Sequence, residues 1–233
     1  ADESDYERQW FVFGGVMNYH TRLEESERQI DKQINGLFGK VICDWKEPTT
    51  FKDWSDDWLL WDAYVGFGRD ISPKWDWCID FGGGAGTVKN QHTYRPLGLR
   101  MKNTIDFTRT EMFIEGTLDY YPLGKPVLKK RPAQGSAIMN ALRSTKPYLS
   151  LVSGYNHQTA EVVVDFKLPL VGSILRQKQK DAYDLFYVCP RVTLETPITR
   201  RDFLNFTVGY VFFTEHPQEF NSLCIGMFWK RRF

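Results

Sequence analysis

The residues able to do chemistry are few, and their spacing suits few reactions. The histidines are His20, His92, His157 and His216. None stands in a His-Glu-x-x-His or other spacing that would put two imidazoles on one metal ion. No metal and no cofactor is therefore expected. A Gly-x-Ser-x-Gly nucleophile elbow is absent. The nearest approach to a hydrolytic set is His216 with Glu215 and Ser222. There an imidazole would take the hydroxyl proton, an acid would orient the ring and the hydroxyl would attack an acyl carbon. Solvated charge at a loop tip is the plainer reading of the same residues.

Gly82-Gly83-Gly84-Ala85-Gly86 invites a phosphate-cradle reading, which needs a helix to follow. Thr87-Val88-Lys89-Asn90 does not start one, so these glycines are read as close packing within a strand. The cysteines, Cys43, Cys78, Cys189 and Cys224, include no Cys-x-x-Cys pair, and zinc is not expected.

The elements that must position these residues are strands. In Asp57 to Gly68, Leu59, Trp61, Ala63, Val65 and Phe67 alternate with Asp62, Tyr64, Gly66 and Gly68. Trp75, Trp77, Ile79 and Phe81 alternate with Asp76, Cys78 and Asp80. Met112, Ile114, Gly116, Leu118 and Tyr120 alternate with Glu111, Glu115 and Asp119, and Phe186, Val188, Val192 and Leu194 with Cys189, Arg191 and Glu195. Leu204 to Phe212 and Leu223 to Trp229 repeat the pattern, with Arg231 breaking the last apolar face. Period two puts one set on each face of a strand. Trp10 to His20 and Tyr148 to Leu170 read as less regular strands.

Helical spacing occurs in Thr21 to Phe38, with a capping box at Thr21 and Glu24, and in Ser136 to Leu142. The basic run Lys125 to Arg131 before the latter reads as a solvated loop. Asp70 to Pro73 and Thr199 to Arg201 read as tight turns on the side of the C-terminus. Thr21 to Asp56, Val88 to Lys102 and Pro169 to Asp181 read as long loops on the other side. Pro122 to Lys146 is too long for its side.

Composition narrows the class. A net charge of +1 gives no electrostatic case for nucleic acid. Aromatics at 15% call for a surface that wants large amphipathic rings. No apolar run reaches the roughly 20 residues of a membrane helix, which leaves a membrane barrel open. The opening Ala1-Asp2-Glu3-Ser4 reads as an exported chain after removal of a signal peptide.

Alternation alone does not say which face is inside; a sandwich or lipocalin-like barrel would put the apolar face inward. Three features favour the inverse. The strands run to about 10 residues or more, the length that crosses a bilayer on a tilt. Trp61, Trp75, Trp77, Tyr120 and Trp229 place rings near strand ends. The polar face carries both charge signs at mid-strand, in Asp76, Asp80, Glu111, Glu115, Asp119, Asp165, Lys167, Arg191 and Glu195. These are expected to form a paired network in a narrow lumen. Cys78, Cys189 and Cys224 fall on the same face. In an exported chain two of them would be bridged, or all three would stand as small lumen side chains.

The expectation is an all-β fold, an antiparallel up-and-down transmembrane β-barrel forming a single domain over residues 1–233. It has eight strands if Tyr148 to Leu168 is one strand. It has ten if that stretch divides at Asn156–Thr159 and Lys40 to Trp45 is added. The terminal Phe233, preceded by Leu223, Ile225, Met227 and Trp229, resembles the last strand of proteins assembled into the bacterial outer membrane. Leu118-Asp119-Tyr120-Tyr121-Pro122-Leu123-Gly124 with Lys146-Pro147-Tyr148-Leu149 resembles the strand–turn–strand seam of small OmpA- or OmpW-like barrels. The inserted segment at that seam, Arg231 and the cysteines depart from the class.

The resemblance implies a porin-like cell-envelope protein of Gram-negative bacteria, in contact with outer-membrane lipid. Its role would be structural, anchoring or partner-binding, with no enzymatic activity, and Thr21 to Asp56 would be the loop that meets a protein partner. The alternatives are a lipid-modifying enzyme using His216 and Ser222, a narrow channel or small hydrophobic-solute transporter, and a soluble lipocalin-like binder.

Overall fold

The computed structural model describes residues 9–21, 59–94, 101–127, 137–168, 170–215 and 221–233. The elements are β1 (Trp10–Thr21), β2 (Leu59–Ser72), β3 (Trp75–Tyr94), β4 (Met101–Tyr120), α1 (Ala137–Arg143), β5 (Lys146–Leu168), β6 (Gly172–Pro197), β7 (Asp202–Phe213) and β8 (Ser222–Arg232). Each strand pairs antiparallel with the next, and β1 pairs with β8 to close an eight-stranded barrel. The division at Asn156–Thr159 does not occur, because those residues stay in register with Phe113 to Thr110 of β4. Lys40 to Trp45, and the helix expected after Thr21, lie outside the described residues. The second expected helix is α1.

Parity along the strands decides what faces where. Trp61, Val65 and Phe67 of β2 are exposed, while Asp62, Tyr64 and Asp70 are buried. On β8, Leu223, Ile225, Met227 and Trp229 are exposed, while Cys224, Lys230 and Arg232 are buried. The barrel thus turns apolar side chains out and charge in, the reverse of a water-soluble barrel. Water would penalise that outer surface, and lipid would not. Trp75 and Tyr120 sit ring against ring at 4.6 Å near the turn end of this belt. Arg231 sits at the edge of the apolar face, in an ion pair with Asp202 at 3.7 Å.

Strand lengths are unequal. β1, β2, β7 and β8 have 12, 14, 12 and 11 residues. β3, β4, β5 and β6 have 20, 20, 23 and 26. The short set matches one crossing of a bilayer, and the long set overshoots it by about ten residues.

This corrects the expected loops. Val88 to Lys102 is mostly strand, with β3 and β4 continuing to the pair Tyr94↔Met101. Pro169 to Asp181 is mostly the start of β6, with a short turn in which Gly172 takes φ of +83°. Lys89-Asn90-Gln91 and Arg176-Gln177-Lys178-Gln179-Lys180 lack apolar alternation because these stretches lie past the belt.

Candidate functional site

The lumen is filled by charge in tiers. At the turn end, Asp76 of β3 meets Lys125 at 2.5 Å, Lys230 of β8 at 3.1 Å and Arg232 at 3.8 Å. Lys125 also reaches Asp70 at 2.9 Å and donates to the Ser72 carbonyl at 2.9 Å. Glu195 of β6 pairs with Arg232 at 3.4 Å and Lys230 at 3.7 Å. Lys230 Nζ donates to the Tyr121 hydroxyl at 3.0 Å and lies over the Phe11 ring at 3.9 Å. Each carboxylate here has a cation in reach, which is the condition for burying it.

In the middle tier, Arg191 of β6 crosses to Glu115 of β4 at 2.7 Å, and the Tyr187 hydroxyl donates to the same Glu115 oxygen at 2.5 Å. Arg191 Nε also points at Cys189 Sγ, 3.4 Å away. Gly154 and Gly209 make room for this tier. A Cβ at Gly154 would stand 2.6 Å from the Tyr187 ring and hydroxyl, and one at Gly209 would stand 2.6 Å from Arg191 Cγ. Asp119 accepts from Ser150 Oγ at 2.6 Å. A small cavity lies among Asp80, Asp119, Arg191, Lys230, Phe13 and Phe228.

Toward the loop end, Arg109 and Glu111 pair at 2.8 Å, and Asn156 Nδ2 donates to Glu111 at 3.2 Å. Asp62 lies beside Glu111 on the inner wall and is buried.

Asp76, Asp80, Glu111, Glu115, Asp119, Arg191 and Glu195 thus line the lumen, all buried. Asp165 and Lys167 do not: they lie past the belt, on the face of β5 that carries Leu149 and Leu151. Lys167 is half exposed, and the two pair at 3.1 Å. Odd positions of β5 face outward, so their parity excludes them from the lumen. The network also holds Asp62, Asp70, Arg109, Lys125, Lys230 and Arg232. All but Lys125 could be found from strand parity; Lys125 enters from the segment after β4.

The hydrolytic set is not assembled among the described residues. Ser222 is buried on the inner wall and Glu215 is exposed beyond β7, while His216 lies outside the described residues. No group of three His, Cys, Asp or Glu side chains among the described residues could hold a metal ion. Cys78, Cys189 and Cys224 are thiols, with Cys189 and Cys224 Sγ 3.7 Å apart across β7.

Past the belt, β3 to β6 form a projecting sheet. Its start is marked where Phe81, Met112 and Phe186 give way to Thr87, Thr110 and Asp184 on the same faces. Its outer face is knit by side chains. Thr87 and Thr108 hydroxyls lie 3.3 Å apart, and those of Thr110 and Thr159 2.6 Å. His157 and Asp184 approach to 2.7 Å, and Lys178 and Glu161 to 2.8 Å. At the tip, Ser173 Oγ donates to Asp165 at 2.5 Å. That hydrogen bond, with Lys167 beside it, holds the Asp165 carboxyl below the usual carboxylate range.

No family model and no curated protein matches the chain. Among solved structures it is similar to Ail, the attachment invasion locus protein of Yersinia pestis. Identity is 8% over 98% of this chain and 100% of Ail, with a TM-score of 0.46. Neisserial surface protein A is similar at 10% identity over 98% of this chain and 100% of that one, with a TM-score of 0.42. The outer membrane protein OprG from Pseudomonas aeruginosa is similar at 10% identity over 97% of this chain and 95% of its own, with a TM-score of 0.41.

Proposed function

We propose that this protein is a bacterial outer-membrane barrel that anchors external segments for binding a partner. The observation that carries the reading is the inversion of polarity across the wall, with apolar side chains out and paired charge in. A lumen locked by ion pairs suits a rigid anchor. It does not suit a general pore, since eight strands leave only enough interior for side chains.

The projecting sheet of β3 to β6 stands at the end opposite the turns, as do Thr21 and Leu59, the described residues that flank the segment from Thr21 to Asp56. That sheet and that segment are the surfaces proposed to meet a protein partner. A lipid-modifying role has no assembled residues behind it among those described.

The test uses the whole chain expressed with an export signal in a Gram-negative cell. It is expected in the outer-membrane fraction and should migrate differently on gels when boiled and unboiled. An epitope inserted at Val171 is expected on the surface of intact cells, and one at Gly124 only after lysis. Fractionation with soluble protein, or exposure of Gly124 in place of Val171, would overturn the reading.

A further inference from the structure

The helix α1 has the wrong polarity for a helix that faces water. Asn140 and Ala141, with Ser144 just after it, are buried toward the barrel, while Ile138, Met139 and Leu142 are 73%, 50% and 57% exposed. The three apolar residues sit at helical positions that share one face. The helix thus turns the small side chains of Asn140 and Ala141 toward the protein and its large apolar side chains away from it, as the barrel wall does.

Its seat is the turn end of β6, where the Thr145 hydroxyl lies 2.9 Å from that of Thr196. The exposed Leu194 and Ile198 stand at the same end of β6. The outward face of α1 is thus continuous with the lipid-facing belt. An exposed cation, Arg143, stands in the last helical turn.

We propose that α1 lies in the headgroup–acyl boundary of the leaflet on the turn side. Ile138, Met139 and Leu142 sit among the acyl chains, and Arg143 meets the phosphates of anionic phospholipid. The inference rests on the membrane reading above. Three physical reasons support it. A helix of seven residues is too short to hold itself together in water. Partition of an apolar face into the interface stabilises such a segment. Cations near a negative leaflet add to that attraction.

The experiment reads how deep Leu142 sits. The full chain, with Cys43 replaced by Ser, is reconstituted into vesicles of phosphatidylethanolamine and phosphatidylglycerol, carrying a nitroxide at Leu142→Cys. Labels at Leu149→Cys in the belt and Arg200→Cys in the turn are the references. The remaining cysteines are buried and out of reach of the label. Altered migration on heating shows first that each variant has folded; if none folds, the membrane reading itself fails.

In folded protein, oxygen should reach the Leu142 label as it does the Leu149 label. A water-soluble nickel chelate should reach it several-fold less than it reaches Arg200. Exchanging phosphatidylglycerol for phosphatidylcholine, or adding Arg143→Glu, should raise nickel access at Leu142. Nickel access equal to that at Arg200 would overturn the proposal. So would shielding from both reagents, which would mean a protein partner or a second copy of the chain. Indifference to lipid charge would overturn the anionic-headgroup assignment.

Discussion

Arg191 and Glu115 meet at 2.7 Å inside the barrel although 76 residues separate them in sequence. They stand on β6 and β4 with β5 between them, so the contact spans two strand interfaces. It is also the hub on which Tyr187 and Cys189 converge.

Removing one partner should therefore cost more than removing both. Arg191→Met would leave Glu115 buried with only the Tyr187 hydroxyl, and should destabilise the barrel by about 3–5 kcal/mol. Arg191→Met combined with Glu115→Leu should recover some of that loss. Urea unfolding in lipid vesicles, with a double-mutant cycle, measures both.

Gly154→Ala should weaken the same hub from β5, where Gly154 sits in register between Glu115 and Tyr187. The added methyl would meet the Tyr187 ring at 2.6 Å and turn its hydroxyl off Glu115. Overpacking of this kind costs about 1–3 kcal/mol. Tyr187→Phe in the Gly154→Ala background should then cost little more, since the hydrogen bond is already gone.

The tip of the projecting sheet should loosen in acid. The folded Asp165 carboxyl titrates below its unfolded value, so its contribution is fully present above the unfolded value. That contribution is lost as pH falls through the folded one, a window below about pH 4. Asp165 lies outside the lumen and its partner Lys167 is half exposed, so the effect is modest. Amide hydrogen exchange around residues 165–173 should quicken in that window. Asp165→Asn should show the faster exchange at neutral pH and lose the acid response.

Cys189 and Cys224 should be recovered as thiols. Their sulfurs would have to close from 3.7 Å to about 2.05 Å with strand β7 between them. Mass measurement after alkylation of the unfolded chain, with and without reduction, should show both free. A shift on reduction assigned to this pair would overturn the expectation.

What could be read in the sequence was what the strands repeat. Trp61, Ile114 and Met227 on one parity, and Asp62, Glu115 and Lys230 on the other, carried the barrel, its faces and most of the lumen set. Closure to eight strands followed once Tyr148 to Leu168 was kept whole. Two things were hidden. Lys125 acts from outside any strand, and no periodicity points to it. The distal halves of β3 and β6 have no lipid to face, so they lack the apolar beat. Asp165 and Lys167 were misplaced for a related reason: charge was taken as a mark of the lumen, where parity set them outside.

The inequality of the strands has a mechanical consequence. A pull along the barrel axis on the turn between β5 and β6 loads the antiparallel ladders that flank this hairpin, β4–β5 and β6–β7, in shear. Their hydrogen bonds then resist together and do not break singly in sequence. Arg191–Glu115, tying β6 to β4 within the paired length of these strands, is placed as a cross-brace. The tall side of this barrel is built to bear a load, and the low side, ending with the belt, is not.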